Sequence, residues 1–235
     1  ILGFISALVG AFLLAIQKDV KKLLAYSAIN HVGFIFMGLS VGTSVISEST
    51  RSLAVAASIY HVISNSIGEA LLFLVAGVFI MAVGSRNLDE LAGIGRRYPI
   101  ALIGLIVGVL HLFGVPPLAG FFSKYALFTA MLKAGNIFGA VSLIAITGIS
   151  ILGYIRLLYV IWLGKPRERV KLKIEKEPLS TTIPIITLII LIIILGVTVQ
   201  YVLNWLIDMA HASFSSKGIV KYVSIAMEVL RTLQR

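Results

Sequence analysis

The stretch SIYHVISNSIGEALLFLVAG (Ser58–Gly77) decides how the chain is read. It lies within a predominantly apolar run, 52–83, longer than the roughly 20 residues a membrane-spanning helix needs. Inside it sit His61, Asn65 and Glu69, spaced i, i+4, i+8. At about 100° per residue they drift by only about 80°, so they share one helix face, with Ser58 and Ser66 near it. Ionisable groups in a span cost roughly 2.5–3.5 kcal/mol on insertion scales, and they face a bundle interior or water. Two readings follow. The stripe holds water and hands protons along the helix, with Glu69 as a proton-binding group, or it is an interhelical hydrogen-bond cluster that only holds the bundle together.

Outward from this stretch the whole chain has the same character. Of its 235 residues 59% are hydrophobic and 13% charged, against about half and about a quarter in soluble domains. The mean hydropathy is +1.03. The fold class expected is an all-α polytopic membrane protein. The net charge of +10 does not point to nucleic acid, because the basic residues lie in short loops between apolar spans. Cysteine is absent, which excludes disulfides, thiolate catalysis and cysteine-ligated metals. The chain opens inside an apolar run, ILGFISALVGAFLLAIQ, with no initiator Met, basic n-region or cleavage site. That run is not a signal peptide, and an upstream part, on this chain or another, is expected.

Six spans are predicted: 1–17, 23–46, 52–83, 98–133, 136–163 and 181–206. The fourth is interrupted by GVPPLAG (Gly114–Gly120). Lys18, Lys21 and Lys22 follow the first span, Arg86, Arg96 and Arg97 the third, and Lys165, Arg167, Arg169, Lys171, Lys173 and Lys176 the fifth. The alternate loops hold only Arg51 with Glu48, and Lys133. Basic loops face the cytoplasm. The parity works only if 98–133 crosses once, as one broken helix, which puts the C-terminus outside. Residues 1–206 are therefore read as a transmembrane bundle. In 207–235, KGIVKYVSIAMEVLRTLQR (Lys217–Arg235) has apolar residues at helical spacing and reads as an amphipathic helix on the membrane surface or a partner. A partly disordered tail is the alternative.

The break is the second polar site. Pro116 and Pro117 remove backbone donors and stop a helix, and Gly114 and Gly120 relax the chain on either side. Broken helices at membrane depth are buried in protein or line a cavity, and their half-helix ends meet ions in transporters. His111 precedes the break and Lys124 follows it. Lys124 lies nine residues from Lys133, roughly 14 Å of helix, which is far for a snorkelling side chain. In QKDVKKLLAYSAINHVGF (Gln17–Phe34), Asp19 suits a helix N-terminus, and Ser27, Asn30 and His31 continue a polar face inward. His31 reads equally as a relay or a packing residue. Arg156 reads as a snorkelling residue or the partner of a loop acid. No phosphate-binding loop, paired carboxylates or activated nucleophile occurs. The four histidines lack metal-ligand spacing. No cofactor and no metal is expected.

Three motifs now point one way. QKDVKKLLAYSAINHVGFIFMGLSVG (Gln17–Gly42), YHVISNSIGEALLFLVAG (Tyr60–Gly77) and LFGVPPLAGFFSKYALF (Leu112–Phe128) resemble, in order and spacing, segments of the antiporter-like subunits of respiratory complex I, Mrp-type cation/proton antiporters and membrane-bound hydrogenases. The resemblance covers about 1–165. Such subunits are usually about twice this long, built from two inverted five-helix repeats, and this chain resembles the second half. The resemblance implies that Lys124 is the terminal lysine of a charged axis across the membrane and that His61 is the family's histidine on the preceding helix. It implies a proton- or Na⁺-translocating subunit with other membrane subunits as partners, in a prokaryotic plasma membrane. It implies no chemistry of the chain's own, and a place in a redox-driven pump of NADH dehydrogenase, hydrogenase or sulfur-reductase type. Asn65 stands where the family usually has a second histidine, and Glu69 where it has lysine. Ion translocation is assigned to Glu69, Lys124, His61, His111, Asn65 and His31. The alternative is a non-conducting scaffold subunit of the same kind of complex.

Overall fold

The computed structural model describes residues 1–43, 46–165, 172–214 and 224. They form eight α-helices: α1 (Leu2–Ile16), α2 (Val20–Gly42), α3 (Glu48–Val83), α4 (Pro99–Phe113), α5 (Ala119–Lys133), α6 (Ile137–Leu163), α7 (Leu179–Val197) and α8 (Val199–Phe214). Two short 3₁₀ turns, Leu88–Glu90 and Ile94–Arg97, join α3 to α4, and no strand occurs among the described residues. Four helices, α2, α3, α6 and α7, are long and apolar enough to cross a membrane. The first predicted span is the fifteen-residue α1, about 22 Å long against a hydrocarbon core of about 30 Å.

Every pass packs against α3 or its neighbours. Gly104 of α4 faces Val75 and Leu71, Gly108 faces Leu72, and His111 lies on Gly68. Further on, Ser123 of α5 meets His61, and Leu127 lies by Gly38 beside Ser58. As α4 and α5 climb in number, their α3 partners fall steadily from 75 to 58. The two fifteen-residue helices are one antiparallel pass, broken halfway, as the loop charges required.

The break has a local cause. Gly114 closes α4 in the left-handed region at φ 85°. Its N–H and that of Val115 bond back to Leu110 O at 3.2 and 3.0 Å, a Schellman end. Pro116 and Pro117 then supply no donors, and α5 starts at Ala119.

The sixth pass differs from the 181–206 span read from sequence. The helix is interrupted at Thr198 and runs on to Phe214 as α8. Thr198 Oγ1 bonds back to Ile194 O at 2.7 Å, which bends helices. Tyr201 N–H then takes Thr198 O at 3.0 Å, a tightened i+3 bond. The helix continues past 206 because Val199, Val202, Leu203, Leu206 and Ile207 keep one apolar stripe, which packs on Ala56, Tyr60 and Ala119. The amphipathic helix read over Lys217–Arg235 lies outside the described residues, Ser224 apart.

The charge-rich loops meet at one end. Val20 N–H bonds Arg86 O at 2.9 Å, Leu88 N–H bonds Lys18 O at 2.8 Å, Gly93 N–H bonds Val160 O at 2.9 Å and Lys173 N–H bonds Ala82 O at 2.8 Å. Asp19 caps α2, accepting from Lys22 N–H at 3.0 Å. The Glu177 carboxylate accepts from Ala101 N–H at 2.7 Å and Ile100 N–H at 3.3 Å, placing a negative charge at the α4 N-terminus. Arg156 meets no loop acid among the described residues: its Nη1 donates to Ala15 O at 3.2 Å, capping the last turn of α1. Arg167, Arg169 and Lys171 lie outside the described residues. At the far end Glu48 pairs with His211 at 3.5 Å.

Candidate functional site

Small residues let the helices approach closely enough to enclose polar groups. A Cβ on Gly68 would stand 2.5 Å from His111 Cδ2, and one on Gly120 would collide with His111 O. These two glycines let α3, α4 and α5 converge on the break. Gly120→Ala forces a backbone shift and is expected to destabilise the fold by about 1–3 kcal/mol, the scale for overpacking. A Cβ on Gly77 meets nothing within 4 Å, so Gly77→Ala should leave the melting temperature of the assembled protein near wild type. Equal melting of the two variants would contradict this packing.

The polar side chains enclosed there form a file. It starts at Glu69 of α3, whose side chain is only 7% exposed. Ser27 Oγ of α2 donates to Glu69 Oε1 and lies 2.5 Å from Tyr154 Oη of α6. The phenol lies 3.3 Å from His31 Nε2 of α2, and His31 Nδ1 is 3.2 Å from His61 Nε2 of α3. His61 Nδ1 is 2.9 Å from Ser123 Oγ of α5, and Ser123 donates to Gly120 O at 3.0 Å in the first turn after the break. Six groups from α2, α3, α5 and α6 are thus linked end to end, all buried.

The remaining site residues flank this file. Lys124 follows Ser123 in α5 and is 8% exposed. Its ammonium donates to Leu112 O at 2.6 Å and reaches Phe113 O at 3.5 Å. These last carbonyls of α4 form the negative end of the helix dipole. The Phe34 ring lies 5.9 Å from Nζ, within cation–π range. An apolar cavity of about 410 Å³ between α5 and α6 adjoins this lysine, lined also by Gly114, Tyr125 and Thr147.

His111 links neither Glu69 nor Lys124 by a side-chain bond. Its Nδ1 accepts from Gly120 N–H at 3.1 Å and its Nε2 donates to Ser64 O at 3.0 Å. The imidazole is therefore the neutral Nε2–H tautomer, and both nitrogens tie the break to α3. Asn65 is buried, and its Oδ1 and Glu69 Oε2 have no hydrogen-bond partner among the described residues.

Sequence reasoning missed Tyr154, Ser123 and Ser64. Tyrosine and serine are ordinary in apolar helices, and each gains meaning only from the neighbour that folding brings. Ser27 was visible as part of a polar face, but not as the partner of Glu69.

Comparison with known proteins accords with this arrangement. The chain is 28% identical to formate hydrogenlyase subunit 3 of Escherichia coli, over 91% of its own length and 36% of that protein's. It is 29% identical to NADH-quinone oxidoreductase subunit N of Desulforudis audaxviator, over 87% of its length and 44% of the relative's. The chain thus spans less than half the length of both. Among solved structures it resembles a chain of the membrane-bound sulfane sulfur reductase, an archaeal respiratory membrane complex, with a TM-score of 0.76 and 32% identity, covering 83% of this chain and 31% of that one. A chain of the Mrp complex from Dietzia shares the fold, with a TM-score of 0.78 at 21% identity. The model of the NADH:quinone oxidoreductase/Mrp antiporter transmembrane family matches residues 1–150, covering all three motifs and the broken pass, and this multi-pass chain belongs to that family.

Proposed function

We propose that this chain is an ion-translocating antiporter-like subunit of a multisubunit membrane complex, moving H⁺ or Na⁺ through its bundle. The observation that carries the proposal is the buried file from Glu69 to Ser123, ending one residue from Lys124. Packing six apolar passes together needs no such file, whereas a transported charge needs groups to receive it at mid-membrane. Glu69 takes up the charge, His31 and His61 carry it inward, and Lys124 delivers it at the break, where the α4 carbonyls hold the amine in place. His111 positions the break, and Asn65 shares the helix face that carries His61 and Glu69.

Residues 1–206 act as the second repeat of an antiporter-like subunit, with 207–235 as a surface segment against lipid or a partner. Other membrane subunits of a complex-I-related or Mrp-type assembly flank it in a prokaryotic plasma membrane, the basic end facing the cytoplasm. Any redox chemistry that drives it belongs to those partners.

One network favours the scaffold reading: Asn30 Nδ2 donates to Ala7 O at 2.8 Å and Asn30 Oδ1 accepts from Ser150 Oγ at 3.2 Å, locking α1, α2 and α6. His61→Ala separates the two. In proteoliposomes carrying the whole complex, it is expected to slow ion movement on the order of 10²-fold, the scale for a positioned proton-transfer group, with assembly intact. Wild-type flux through an assembled variant would leave the scaffold reading standing.

A further inference from the structure

The hydrogen atoms along the file can be counted, and the count identifies what moves. Each hydroxyl has one hydrogen to give, and a neutral imidazole has one N–H and one bare nitrogen. Ser123 gives its hydrogen to Gly120 O, so its oxygen must accept from His61 Nδ1–H. If both histidines are neutral, His61 Nε2 is bare and accepts from His31 Nδ1–H. His31 Nε2 is then bare and accepts from the Tyr154 hydroxyl. Tyr154 has no second hydrogen, so Ser27 must donate to it. Ser27 is then spent as well, and the hydrogen between Ser27 and Glu69 must come from Glu69. Neutral histidines therefore go with a protonated Glu69, and every link points from Glu69 toward Gly120.

The other ordering has Ser27 donating to an ionised Glu69. Tyr154 then donates to Ser27 and His31 Nε2–H donates to Tyr154. With Ser123 still directed at Gly120 O, the four ring nitrogens of His31 and His61 carry three hydrogens instead of two, which is one imidazolium. The two orderings hold the same number of protons and differ by one step. The Glu69 carboxyl proton passes to Ser27 Oγ as the Ser27 proton passes to Tyr154 Oη. The Tyr154 proton passes to His31 Nε2, and the His31 Nδ1 proton to His61 Nε2. Glu69 is left as carboxylate and His61 as imidazolium.

From this we infer that Ser27 and Tyr154 are relay residues, that they join Glu69 to the histidine pair through protein groups alone, and that the ion moved on this leg is H⁺ and not Na⁺. The inference rests on the translocation reading above and deepens it. Each link is an O–H or N–H shared between two atoms 2.5–3.3 Å apart or, at Ser27 and Glu69, in direct hydrogen-bond contact. Such a link passes a proton by exchanging partners. The Tyr154 hydroxyl is faced by Ser27 and His31 from α2 and, electrostatically, by Glu69 from α3, while the Phe113 ring of α4 packs on its ring at 6.0 Å.

The test uses the whole complex in proteoliposomes with a pH-sensitive dye inside. Tyr154→Phe keeps the ring and removes the shared hydrogen. Proton movement is expected to fall at least tenfold, as is also expected for Glu69→Gln, and the wild-type rate is expected to be unchanged when choline replaces Na⁺ in the medium. Incorporating 3,5-difluorotyrosine at position 154 keeps the hydroxyl and makes it more acidic, so the rate is expected to change with an altered pH profile. A tyrosine that only packs would leave the profile in place. Wild-type rate and profile in both Tyr154 variants, with Glu69→Gln inactive, overturn the relay and leave the translocation reading. A requirement for Na⁺ overturns the choice of ion. Wild-type rates for Glu69→Gln as well overturn both.

Discussion

Lys124→Ala is expected to reduce ion movement to background, a loss on the order of 10²-fold or more, while the complex still assembles. The expectation joins two magnitudes. Removing a positioned acid–base group costs about 10²–10⁴ in rate. The structural cost is smaller. Leu112 O loses a 2.6 Å donor and Phe113 O a weaker one, and a buried carbonyl left unpaired costs about 1–3 kcal/mol. The missing stem also enlarges the adjoining cavity, a further cost, but the variant no longer has to hold an ammonium away from water, which offsets it. Lys124→Arg sharpens the result. Arginine keeps the charge and can still reach the α4 carbonyls, but it does not release a proton in proteins. Failure of both variants assigns proton exchange to Lys124. Activity in the arginine variant would reduce the residue to a fixed charge, and activity in the alanine variant would remove it from the path.

Glu69→Gln is expected to be as damaging to ion movement and nearly silent in stability. Glutamine has the shape of glutamic acid and its oxygen still accepts from Ser27 Oγ, so the contact between α2 and α3 survives. Glu69 Oε2, which has no hydrogen-bond partner among the described residues, becomes an amide nitrogen, one turn from Asn65, whose Oδ1 is an acceptor that is also unpartnered there. The substitution removes the ability to gain and lose a proton and little else. Flux from proteoliposomes and the melting temperature of the complex, read side by side, check both halves. Lost flux with melting within a few degrees of wild type supports translocation. Lost assembly would show that the carboxylate locks helices, and normal flux would show that it is idle.

The ionisable members of the site were legible in the sequence because hydrocarbon makes them conspicuous. Glu69, His61 and Lys124 stand in apolar runs, and the one-pass topology of the broken helix followed from loop charge alone. What the sequence lacked was the third dimension. Tyr154 lies in a helix whose nearest polar residues in sequence, Ser150 and Arg156, bond elsewhere, and its hydroxyl matters because Ser27 and His31 arrive from α2. His111 was visible before the break and was assigned to ion translocation, but the sequence did not show that both its ring nitrogens are taken up by backbone. The interruption at Thr198 was hidden too. It carries neither proline nor a glycine pair, and it arises where Gly196 presses against Pro117 O at the neighbouring break.

That contact is one of two ways in which the bundle differs along its length, the other being the four backbone bonds that tie the basic loops together at one end. At that end the connections behave like a knot: 18–20, 82–93, 160 and 173 are stitched across the α1–α2, α3–α4 and α6–α7 connections. Two of the six passes, α4 with α5 and α7 with α8, are interrupted where Gly196 lies against Pro117. The molecule is thus a sheaf bound at its base, with a shared seam halfway up. Amide hydrogens of Val20, Leu88, Gly93 and Lys173 should exchange slowly although they lie outside helix interiors. Strain reaching the protein from a neighbour would be taken up above the seam, leaving the bound end in register.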